Sequence, residues 1–122
     1  MIKLFLMTGS IFCMLSVMLG AFAAHGLKSR LSEYSLGVFK TAAEYQMMHG
    51  LALIAVAVLI KWGINLSWAG GFFIAGTFLF SGSLYLLALT GMKWLGPITP
   101  LGGLCFIIGW IVILVQVARF KF

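Results

Sequence analysis

Two histidines, one glutamate and a few hydroxyl and amide groups carry nearly all the chemistry available to this chain. His25, Glu44 and His49 are the residue types that hold a metal or pass protons. Tyr45, Gln46, Ser81, Ser83, Tyr85 and Thr99 are the groups that would hydrogen-bond beside them. Spacing joins some of these: Tyr45 and His49 lie four apart, hence on one helix face, and Thr77, Ser81 and Tyr85 repeat that interval. Three chemistries fit the set. The leading one is a satisfied hydrogen-bond network that pins helix register, with Glu44 capping its own helix and pairing with Lys40. The second is a proton, ion or solute path lined by His25, Glu44, His49, Ser81 and Tyr85, since ionisable groups inside a membrane are rare and costly. The third is a metal-dependent membrane enzyme built on His25 and His49 with Glu44. Zinc asks for three or four ligands, and only these three are on offer. The chain has no aspartate, so no Ser-His-Asp set exists, and no glycine-rich phosphate loop is present. The reading favoured is a non-enzyme with no catalytic residue and no cofactor.

The elements that must position these groups follow from composition. Of 122 residues, 63% are hydrophobic and 8% charged, and mean hydropathy is +1.17. Soluble domains carry about a quarter charged residues, so this chain cannot clothe a water-facing surface. A small integral membrane protein of one domain, residues 1–122, is expected, and the lipid bilayer is its first partner. The net charge of +6 comes from scattered Lys and Arg beside apolar stretches, not from a basic patch, so no nucleic acid is expected. Cys13 and Cys105 sit alone in apolar runs and read as small buried hydrophobes.

Crossing the hydrocarbon takes about 20 apolar residues. Four runs satisfy this, at about 4–24, 42–60, 68–90 and 100–118. The fold class is all-α, an up-and-down four-helix membrane bundle. Thr41 and Glu44 have capping-box spacing, which would start the second span there. Thr99 before Pro100 reads as an N-cap ahead of a first-position proline, and Gly26 as a helix C-cap. Trp62, Trp68 and Trp94 fall at run ends, as an interfacial aromatic belt would place them. Residues 28–40 read first as a short amphipathic helix on the membrane surface. The alternative is an extension of helix two, with Glu44 one or two turns inside it. If helices one and two are antiparallel, His25 and His49 occupy the same half of neighbouring helices, about 8–10 Å apart between axes.

Small residues at four-residue spacing mark packing seams: Ser16, Gly20 and Ala24; Gly71 and Ala75; Cys105 and Gly109. They suit a tight bundle, and one of them would suit a homo-oligomer or another membrane-protein partner. Ala21-Phe22-Ala23 fits a signal-cleavage pattern, but the apolar run is longer than such peptides use, so cleavage is not expected. Lys3, Lys61, Arg119 and Lys121 on the termini side balance Lys28, Arg30, Lys40 and Lys93 on the other, and the free amino terminus tips the termini toward the cytoplasm.

With these residues in place, the chain resembles the YgdD-like family of small bacterial membrane proteins of unknown function, with relatives in eukaryotes. The stretches that carry the resemblance are GAFAAHGL (20–27), EYQMMHGLA (44–52), FSGSLYLLAL (80–89) and WLGPITPLGG (94–103), followed by Phe106, Gly109 and Trp110. They cover nearly the whole chain. Ala23 departs from the pattern, where a glycine is expected, and bears on how closely helix one approaches its neighbour. The resemblance implies four spans in the bacterial cytoplasmic membrane and brings no activity with it.

Overall fold

A computed structural model describes residues 1–122. The chain is all helix: α1 (Ile2–His25), α2 (Glu33–Lys61), α3 (Ser67–Thr90) and α4 (Ile98–Arg119), with a 3₁₀ turn at Lys93–Leu95 before α4. All four helices are long and apolar enough to cross a membrane, and together they form a four-helix membrane bundle.

Residues 33–40 belong to α2 and do not form a separate surface helix. Ser32 is the N-cap, its hydroxyl accepting the Ser35 amide at 3.1 Å. This relieves one orphan N–H of the first turn. The cap expected at Thr41 is therefore absent. Thr41 lies mid-helix with its hydroxyl donated to the Gly37 carbonyl at 3.0 Å, the local bond an internal threonine makes. Glu44 follows three turns into α2, not at its start. A similar correction applies to α4. That helix starts one residue before Thr99, with Pro97 in the N-cap position and no side-chain cap. Pro100 still falls in the first turn, where its missing N–H breaks no helical bond. Gly26 does cap α1, but in right-handed geometry. The left-handed cap is Gly91 at the end of α3, with φ +70°, where a side chain would be strained.

α2 is the spine of the bundle. α1 runs antiparallel along one side of it, and α3 and α4 pack together on the other. α1 and α2 approach closely at Gly9 and Gly50. A Cβ on Gly9 would lie 2.6 Å from the Gly50 carbonyl oxygen, and one on Gly50 would lie 3.0 Å from that of Gly9. Gly76 and Gly102 make the equivalent close approach between α3 and α4, and Gly109 receives the Phe73 ring. Of these glycines only Gly109 belongs to the seams expected from spacing, and Ser16 of the first seam is buried as well. At Gly20 and Gly71 a Cβ would meet nothing within 4 Å, and Ala24 and Ala75 are exposed.

Two apolar cores result. The larger holds Phe5, Phe12, Leu53, Val56, Leu66, Phe73 and Phe106, toward the end that carries the termini. The smaller gathers Ala23, Leu27, Phe39 and Ala88 at the opposite end. Ala23 is fully buried there, so its methyl is accommodated. Buried Gln46, His49, Thr77, Ser81 and Ser83 lie between the two cores.

Candidate functional site

The polar layer is built on α2 and on the π-helical segment Thr77–Gly82 that interrupts α3. Such a segment makes i→i+5 bonds and offsets the helix, a feature often found where side chains are specially placed. Ser81 within it donates to the Ala42 carbonyl at 2.8 Å, tying α3 to α2. Gln46 then bridges three helices. Its amide donates to the Phe12 carbonyl on α1 at 3.0 Å, and its oxygen accepts from the Tyr85 hydroxyl on α3 at 2.7 Å. Ser83 meets Thr99 at 2.6 Å, joining α3 to the start of α4, and also donates to the Phe80 carbonyl.

His49 is 2% exposed, and both of its nitrogens are engaged. The indole N–H of Trp110 lies 3.1 Å from Nε2. Indole only donates, so Nε2 accepts, and Nδ1 carries the proton donated to the Tyr45 carbonyl at 2.8 Å. The imidazole is thereby fixed as one neutral tautomer. Phe106 stacks on the ring with centroids 3.6 Å apart, and Phe73 meets it edge-on at 5.2 Å. The Tyr45 ring lies against Phe80, with its own side chain partly exposed. With both nitrogens bonded and an aromatic wall on two sides, His49 holds α2 to α4. It has no free lone pair for a metal.

His25 and Glu44 are elsewhere. The Gly9–Gly50 approach sets α1 against α2, so His49 lies level with the first half of α1, and His25 is some 16 residues further along it. At helical rise that is roughly 24 Å. The two rings do not share a site, although they stand on neighbouring antiparallel helices. His25 is exposed in the last turn of α1. Glu44 is exposed on the outer face of α2. No three His, Cys, Asp or Glu side chains converge anywhere, so His25, Glu44 and His49 do not form a metal centre.

The structure brings Gln46, Ser81, Tyr85, Ser83 and Thr99 into one layer with His49, while His25 lies far from that layer and Glu44, level with it on α2, faces outward. Sequence spacing missed Trp110, Phe106 and Phe73 as the groups that enclose His49. The signal for the first two was present, since Phe106 and Trp110 are one helical turn apart and share a face of α4.

Residues 19–103 match a family described as "Protein of unknown function (DUF423)". The chain is 50% identical over 121 residues to a UPF0382 membrane protein of Staphylococcus aureus, covering 98% of each. It is 47% identical over 119 residues to one of Staphylococcus haemolyticus, covering 97% of this chain and 98% of that one. A third, from Staphylococcus saprophyticus, is 44% identical over 114 residues and covers 93% and 95%. No solved structure matches.

Proposed function

We propose, starting from the fact that this chain belongs to the DUF423 family of unknown function, whose relatives are bacterial membrane proteins, that it is a non-enzymatic membrane component. It spans the cytoplasmic membrane four times with its termini toward the cytoplasm, and acts through contacts of its outer face with lipid or another membrane protein. The likeness to YgdD-like proteins and their eukaryotic relatives belongs to this reading.

The observation that carries it is the pairing of the inner polar groups. Gln46, His49, Ser81, Ser83, Tyr85 and Thr99 each bond to another part of the same bundle. A transport path needs polar groups left free to exchange partners with a solute or with water, and a paired layer serves to lock helices instead. Tying α2 to α1, α3 and α4 at one level leaves a rigid body whose remaining exposed polar groups face outward.

The test is flux across liposomes containing the purified protein, read with an internal pH dye under an imposed potential and repeated with sodium and potassium gradients. Rates equal to those of empty liposomes are expected. A protein-dependent flux that disappears in Gln46→Leu or Tyr85→Phe while the protein stays folded would overturn the reading and restore the conducting path.

A further inference from the structure

Between α1 and α2 a groove of about 600 Å³ opens on the outside of the bundle, lined by Ser16, Gly20, Ala43, Met47, Met48 and Leu51, with Lys40 and Glu44 along its length. Three features distinguish it from an ordinary lipid-facing surface. Gly20 has nothing within 4 Å of its missing side chain, so this chain's own packing does not require it to be small. Ser16, 4% exposed, is the only buried side chain whose polar atom has no partner. Lys40 and Glu44 are both exposed and stand one turn apart, without a polar partner in the chain.

Their depth makes this costly. Ala42 bonds to Ser81 and Gln46 to the Phe12 carbonyl. Phe12 lies near the middle of α1 and Ser81 near the middle of α3. Glu44, between Ala42 and Gln46, is therefore at mid-depth of the bundle. A carboxylate there faces lipid tails, which offer no hydrogen-bond donor. Lys40 stands one turn away on the same face, at a spacing that would allow an ion pair, yet no ion pair joins the two side chains along the groove. A lipid chain would fill the groove but leave Glu44 unanswered.

We propose that a second copy of this chain docks in the groove in the same orientation, about a two-fold axis along the bilayer normal, with Lys40 of each copy pairing with Glu44 of the other. The proposal rests on the reading that the outer face is the working surface, and it names the partner. A two-fold contact is self-complementary, residue i meeting j and j meeting i. The face supplies one base and one acid, so two copies form a neutral quartet. The offset of one turn is about 6 Å, within reach of a lysine stem. It is close to the stagger of interhelical ion pairs in parallel coiled coils. Gly20 and Ala43 let the second copy approach closely, as small residues do at membrane helix contacts.

The test places single cysteines in a Cys13→Ala, Cys105→Ala background in native membranes and oxidises them. Met48→Cys, on the groove wall, is expected to give a disulfide-linked dimer, and Leu114→Cys, exposed on α4, is not. Lys40→Glu or Glu44→Lys alone should remove the dimer band, and the two together should restore it. Melting curves in detergent confirm that each variant is folded. Native mass spectrometry of the unaltered chain gives an independent reading, expected at twice the chain mass. Equal cross-linking at both positions, or a double swap that fails to restore the band in a folded protein, overturns the proposal. A monomeric mass carrying phospholipid that is lost on Lys40→Glu also overturns it, in favour of a lipid site. Monomers without flux defeat only the dimer, whereas flux defeats the functional reading beneath it.

Discussion

Replacing Gly9 by alanine would drive a methyl group against the backbone of α2. Its Cβ would stand 2.6 Å from the Gly50 carbonyl oxygen, 3.0 Å from Ile54 Cγ1 and 3.1 Å from Leu53 Cβ. Ordinary contacts start at 3.4 Å, so the shortfall against the oxygen is about 0.8 Å. Backbone cannot swing aside as a side-chain end can, so α1 and α2 must part. A gap of about 0.5–1 Å forfeits a quarter to a half of the dispersion attraction along the contact. Overpacking of this kind costs about 1–3 kcal/mol. Alanine's higher helix propensity returns about 1 kcal/mol, which leaves a net loss of up to about 2 kcal/mol. Gly71→Ala is the control, since nothing lies within 4 Å there and only the propensity gain applies. The assay is equilibrium unfolding in detergent, with melting curves alongside. Gly9→Ala is expected to lower stability and Gly71→Ala to leave it equal or slightly higher. Equal shifts of the same sign in both variants would refute the close α1–α2 approach and the register derived from it.

Two further predictions rest on the caps and on the polar layer. Ser32→Ala should lower stability by about 0.5–2 kcal/mol, since it removes an N-cap, and should speed amide exchange at 33–36. Thr41→Ala should do neither, and the opposite ranking would return the helix start to Thr41. A double-mutant cycle on Gln46→Leu and Tyr85→Phe should show a coupling of about 0.6 kcal/mol and at most about 1.7, the average and maximum for hydrogen bonds between membrane helices. Strict additivity would show that the Gln46–Tyr85 bond does not hold α2 to α3.

Much of the architecture is legible in the residues because a membrane helix declares itself through length and apolar content, and both are local. Four runs bounded by Lys3, Lys28, Lys61, Lys93 and Arg119 allow little else, and backbone satisfaction in lipid demands helices. The Tyr45–His49 and Thr77–Ser81–Tyr85 faces follow from helical period alone. Tertiary structure decided what period cannot reach. Whether 33–40 lay on the surface or continued α2 depended on Phe39 finding Ala23, Leu27 and Ala88 to pack against. That burial, together with the Ser32 cap, carries the helix back to Ser32 and leaves Glu44 three turns inside it. Which small residues form seams depended on the side each helix turns inward: Gly9, Gly50, Gly76 and Gly102 face a neighbouring backbone, while Gly20 and Gly71 face outward. The separation of His25 from His49 is set by the axial register of α1 on α2. That register is fixed by the Gly9–Gly50 approach and by Gln46 reaching the Phe12 carbonyl. These are contacts between residues more than thirty apart, which no local pattern encodes.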